Sequence, residues 1–172
     1  MRPVHRLSVA LTSIALAAAL FSPPPIRASA QTANSASRAT IVVIIGNQTG
    51  ITEMSNALLR RVFRGDPTEL NGRRLTPFNY AVESPLRRHF DLNALGMSTG
   101  EVGRYWIDRR IRGQGLPPRT VPSQAMARAV VARLPGAIAY ITASELDPAV
   151  HAVNIDGKRY SDRDYPLQGA PQ

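Results

Sequence analysis

Ser84, Arg87, Arg88, His89 and Asp91 crowd into one short stretch, NYAVESPLRRHF (Asn79 to Phe90) and the residue after it. Serine, histidine and aspartate are the residue types of a hydrolytic triad. Their spacing works against that chemistry, because helical positions five apart do not face each other. No strand–turn–helix elbow of the Gly-x-Ser-x-Gly kind surrounds Ser84 either, so catalysis is not expected. Holding an anion is the better use of the same residues. Ser84 is placed to cap a helix, and Pro85 suits its first turn. A helix start offers unpaired N–H groups and the positive end of the helix dipole. The Ser84 hydroxyl could serve an anion instead of its own helix, and Arg87 could reach round as a bidentate partner. The plain alternative is that Ser-Pro is simply a good helix start and that Arg87 and Arg88 are solvated.

A second polar segment, GNQTG (Gly46 to Gly50), follows an apolar strand and precedes a helix. It lacks the Gly-Lys-Ser/Thr ending of a phosphate loop. Its position is still the rim where α/β folds bind ligands, at the carboxyl end of a strand; the plain alternative is a tight turn. The candidate ligand set is therefore Ser84, the Leu86 amide and Arg87, with Asn47, Gln48 and Thr49 from this turn. Gly113 to Gly115 is no dinucleotide fingerprint, since it follows a helix and lacks the third glycine. His89 and His151 lie far apart without metal-ligand spacing. No metal and no cofactor are expected.

The elements that must position these residues alternate. TIVVIIG (Thr40 to Gly46) reads as a strand buried on both faces. Thr52 is the expected cap of a helix running through Phe63, with Met54, Leu58 and Val62 at helical spacing. Asn71-Gly72 marks a turn before a second strand, Arg73 to Tyr80; Pro77 keeps it at an edge or near a strand end. The helix from Ser84 should stop at Gly96. Ser98 with Glu101 forms a capping box for the next, which ends at Gly113. Ser123 caps a helix through Leu134 with Met126, Val130 and Leu134 on its apolar face. AIAYIT (Ala137 to Thr142) is again a buried strand, and Asp156-Gly157 is a hairpin signal. The residues after Tyr160 read as a loose tail. This order predicts an α/β fold with a mainly parallel sheet and helices on both faces.

Composition bounds the setting. Arg2, His5 and Arg6 precede an apolar run, Leu7 to Phe21, and Ala28-Ser29-Ala30 offers small residues for cleavage. That is the layout of a secretory signal peptide; the run falls short of the roughly 20 residues that span a bilayer. The expected organisation is residues 1–30 as signal, 31–39 as flexible leader, 40–160 as one domain and 161–172 as tail. The product would be periplasmic or secreted. With no cysteine it would carry neither a disulfide nor a lipid anchor. The formal charge of +9 includes three arginines of the signal and stays positive without them, which favours anionic partners. The basic residues are scattered and the aromatics few, so nucleic acid is not expected.

One known pattern combines these features. A buried strand enters a polar turn; then come a helix ending RRVFRGDP, an Asn-Gly turn, a strand leading into ESPLRRHF, then YW, and finally LPGAIAYI. From about Ile41 to Ile155 this resembles the periplasmic phosphate-binding proteins of ABC transporters, and more closely their short, single-lobe members. PGAIAYI carries the resemblance most strongly and VFRG second, although Ala139 stands where the family usually has Gly. The resemblance implies a single lobe of a periplasmic-binding-protein-like fold. In full-length relatives two lobes close on the anion, and one supplies an Arg and then Ser-Gly-Thr at a helix start. Aligned through Ser84 and Phe90, this chain keeps the Ser. It has Pro85 for Gly, Leu86 for Thr and Tyr80 for the Arg. Pro85 has no N–H to give, and Tyr80 carries no charge. The implied function is a phosphate-type anion-binding module without catalysis, with weak binding and a membrane permease as possible partner. The alternative is a periplasmic protein-interaction module that reuses the fold, with a porin or sensor as partner and no small ligand.

Overall fold

The computed structural model describes residues 40–168; the expected signal peptide and leader lie outside them, as does the end of the tail. The uncharged β-branched run of β1 (Ile41–Gly46) has no polar side to turn to water. Accordingly Ile41 to Ile45 are wholly buried. The same holds for β7 (Ala137–Thr142), whose residues from Ala137 to Ile141 have no exposure. These two strands form the middle of a five-stranded sheet. It also contains β5 (Thr76–Asn79), β6 (Arg119–Thr120) and β8 (Val150–Ala152), in the order β6-β5-β7-β1-β8.

β5 runs parallel to both β6 and β7, whereas β1 is antiparallel to β7 and to β8. Four strands thus point one way, as expected for a mainly parallel sheet, and β1 alone opposes them. Two small ribbons flank the sheet. β2 (Glu53–Met54) pairs with β9 (Asn154–Ile155), and β3 (Glu69–Leu70) pairs with β4 (Arg73–Arg74) through the Asn71-Gly72 turn, where both residues have positive φ. Asp156-Gly157 makes the same kind of turn, bridging Ile155 to Lys158.

Helices cover both faces. Phe63 of α1 (Asn56–Phe63) and Phe90 of α2 (Pro85–Phe90) pack on the Tyr140 ring; the Phe90 ring stacks on it at 3.8 Å and 3°. α2 continues as a wider π-type turn, Asp91–Leu95, and stops at Gly96, which has positive φ. α3 (Thr99–Ile111) opens with the expected capping box of Ser98 and Glu101. On the other face α4 (Gln124–Arg133), capped by Ser123, lies along β7 and β1.

Three expectations about these elements are corrected. Thr52 does not cap α1. Ser55 does, because residues 53–54 are drawn into a ribbon with β9. The buried face of α4 is Ala127 and Val131, while Met126 and Leu134 are about half exposed. Close approach explains the choice, since a Cβ on Gly46 would sit 2.7 Å from the Val131 carbonyl. A helix pressed so near the sheet takes small or β-branched side chains and turns long ones outward. Finally, the stretch after Tyr160 is not loose as far as residue 168, because Tyr165 and Leu167 are buried in the core.

Candidate functional site

Ser84 lies at the end of the sheet where β5 and β7 finish. Its Oγ accepts from the Arg87 N–H at 3.4 Å and its carbonyl from the Arg88 N–H, so it caps its own helix. Pro85 brings no N–H. The Leu86 N–H is then the one first-turn donor with no partner among the described residues.

Arg87 is not available to an anion from solvent. Its side chain turns inward, and its Nε donates to both carboxylate oxygens of Asp91 at 2.7 Å. Its Nη1 donates to the Tyr80 carbonyl at 3.0 Å. The Asp91 side chain is fully buried and that of Arg87 is 7% exposed. The pair follows from the i,i+4 spacing on one helical face, with the rest of that face embedded in the core. Burial pushes the Asp91 carboxyl upward, and the Arg87 charge and hydrogen bond draw it back down. The expectation of a reaching, bidentate Arg87 is corrected: its counter-ion is Asp91. Arg88 remains exposed, with one donor on the Glu83 carbonyl.

Tyr80, which stands where the family resemblance would place an arginine, is also committed inward. Its hydroxyl donates to the Tyr140 carbonyl at 2.8 Å, and the Tyr140 hydroxyl donates to Asn79 Oδ1 at 2.5 Å. Burial raises both phenols well above their ordinary value, so both act as neutral donors. A closed network of Asn79, Tyr80, Tyr140, Arg87 and Asp91 therefore underlies the start of α2. Sequence reasoning missed this network. The one available signal was the Arg87–Asp91 spacing.

Asn47, Gln48 and Thr49 sit elsewhere. Because β1 opposes its neighbours, Gly46 is level with the beginning of β7, whereas Asn79 is level with Tyr140. Three residues of strand rise separate the two levels, about 10 Å, and the two loops then depart in opposite directions. The candidate ligand set is thus divided between the two ends of the sheet and cannot meet around one small anion. The turn residues are engaged locally as well. Asn47 Nδ2 donates to the Pro148 carbonyl at 2.8 Å, Gln48 Nε2 to the Ala132 carbonyl at 3.4 Å, and buried Thr49 Oγ1 to the Gly46 carbonyl at 2.8 Å.

What does share the Ser84 end of the sheet is the start of α4 and the end of β7. There Gln124 Oε1 accepts from the Thr142 amide and hydroxyl, and Thr142 meets the Ser144 hydroxyl at 3.1 Å. Arg128 is held by Glu145 and Asp147. A shallow groove of about 210 Å³ lies at the opposite end, beside the starts of β5 and β6. Among the described residues no group of three or more His, Asp or Glu is arranged to hold a metal, and no helix is long and apolar enough to cross a membrane.

The sequence matches no family model and no curated protein. Solved structures do match. An ABC-type phosphate transport receptor of Vibrio cholerae superposes with a TM-score of 0.61 at 14% identity, over 75% of this chain and 53% of its own. A phosphate ABC transporter substrate-binding protein of Clostridium perfringens, with bound phosphate, gives 0.58 at 17%, over 71% and 47%. PstS of Borrelia burgdorferi gives 0.53 at 13%, over 70% and 49%. This chain spans about half the length of each. Its fold is that of part of a phosphate-transporter substrate-binding protein.

Proposed function

We propose that this protein is an exported, non-catalytic binding module of the phosphate-receptor type, periplasmic or secreted, that meets small anions only weakly by itself. The observation that carries this reading is the state of the α2 start. Ser84 and the unpartnered Leu86 amide are present at a helix tip, but the cation beside them is consumed by Asp91. A hydrogen bond to a charged group contributes about 1.5–3 kcal/mol net. An exposed helix end adds about 0.3–1 kcal/mol. With the Ser84 Oγ engaged in capping its own helix, a single bond from the Leu86 amide plus the helix end does not exceed the roughly 4.1 kcal/mol that corresponds to a Kd of 1 mM, before any cost of association. Tight capture would need a second body that closes on the tip and brings its own donors, such as a permease or another lobe. Isothermal titration with phosphate, sulfate and acetate tests this. Weak millimolar heats that Ser84→Ala reduces are expected, and a micromolar phosphate constant refutes the reading.

A second reading, an interaction module that reuses the fold, is favoured by a different observation. Ile107 and Ile111 of α3 and nearby Leu116 are each more than half exposed, and Leu116 borders the groove at the far end of the sheet.

A further inference from the structure

The groove beside the starts of β5 and β6 has an unusual wall. Leu116, Pro117, Pro118 and Pro67 line it together with Arg74 and Arg119. Leu116 is 72% exposed, a large apolar side chain left in water at the lip of a hollow. Both arginines are exposed, and neither has a carboxylate within ion-pair distance among the described residues. The carboxylate that does line the groove, Asp66, is already paired with Arg109 at 3.1 Å. The groove therefore joins a proline-leucine surface to two arginines that form no ion pair among the described residues, with Glu69 opposite Arg74 across the β3–β4 ribbon.

Beside it runs β6, the outermost strand of the sheet. It pairs with β5 through Phe78–Arg119 and Asn79–Thr120 and has no neighbour on its other side among the described residues. In a parallel pair, backbone groups point alternately toward and away from the partner. The Val121 N–H donates to the Asn79 carbonyl, so the groups of Thr120 face the open side. An unpaired edge is a template for an added strand. Pro117 and Pro118 limit that pairing to the few residues after them, as proline does on edges.

We infer that this groove and edge form a docking site for an extended, acidic and apolar peptide segment of a partner protein. Its backbone pairs with Thr120, its apolar residues lie on Leu116 and the prolines, and its carboxylates meet Arg74 and Arg119. The inference deepens the interaction reading and does not depend on anion binding at Ser84. An anion alone would not use the proline-leucine wall, and nucleic acid would find two arginines rather than a basic track.

The test uses the protein with a fluorescein-labelled octapeptide of alternating Val and Glu, a Val and Lys counterpart, and a Ser and Glu counterpart. Fluorescence anisotropy should show saturable binding of the Val and Glu peptide alone. Arg74→Glu with Arg119→Glu, and separately Leu116→Ser, should each weaken it at least tenfold. All three positions are exposed, and unchanged thermal midpoints will show that the variants fold. Sedimentation of the protein alone provides the second arm. Concentration-dependent dimers abolished by Leu116→Ser would assign the groove to a second copy and overturn the proposal. So would equal binding of the Lys peptide, insensitivity to these substitutions, or no binding at all. None of these outcomes bears on phosphate titration at Ser84, so the two readings can fail separately.

Discussion

Removing one member of the Arg87–Asp91 pair should be among the most damaging single changes in this chain. The Asp91 side chain has no exposure and that of Arg87 has 7%. Either partner left alone would be a charge in an apolar setting beside Phe90, Tyr80 and Tyr140. Breaking a buried pair in this way costs about 3–5 kcal/mol. For a domain of this size each kcal/mol moves the thermal midpoint by about 3–5 °C, so Arg87→Ala and Asp91→Asn should each lower it by about 9–25 °C. The double change Arg87→Met with Asp91→Leu removes both charges while keeping most of the volume, and should be less destabilised than either single variant. Thermal and urea unfolding followed by circular dichroism would measure all three. A cost under about 1 kcal/mol for Arg87→Ala would refute the reasoning. It would mean that the guanidinium stands in solvent at the helix tip, where it could grip an anion.

Other outcomes can be checked alongside. His89 is desolvated against the rest of the chain and its imidazole is shifted downward, with a bond to the Leu167 backbone partly opposing this. The unfolded chain therefore takes up the proton first, and stability should fall as pH drops below the ordinary histidine value of about 6.5. Urea midpoints at pH 7.5 and 5.5 should differ less in His89→Gln. Gly136 has φ of +80°, and a Cβ there would meet the Arg74 carbonyl at 2.3 Å. Gly136→Ala should thus cost more than about 2 kcal/mol, read from the same urea curves. Ser98→Ala removes the N-cap of α3 together with its bonds to Glu101, and should cost about 1 kcal/mol in thermal unfolding.

Much of the scaffold was legible because it rests on local rules. The two uncharged β-branched runs, the Ser98–Glu101 box, Gly96 as a stop and the two positive-φ turns each announce themselves in a few residues. The direction of β1 does not. A strand buried on both faces is equally apolar whichever way it runs, and nothing in TIVVIIG distinguishes a parallel from an antiparallel neighbour. The error in the candidate site follows from that one ambiguity: a parallel β1 would have brought Asn47 toward Ser84, and the opposed β1 places them at opposite ends. Arg87 was misread for another reason. Its partner Asp91 was visible at i+4, but only the packing of Phe90 and the π-type turn decides that this pair lies inside the core. In α4 the apolar period was sound but displaced by one position, since the helix's distance from the sheet selects side-chain size.

Trp106 has an optical consequence. It is the sole tryptophan of the chain, nearly buried, and its ring lies against Gly65 on the wall of the groove. Tyr105 packs edge-on to it, and the Arg109 guanidinium hovers 5.9 Å from its ring. Its intrinsic emission should therefore signal both melting of the fold and occupancy of the hollow beside it, without any attached dye.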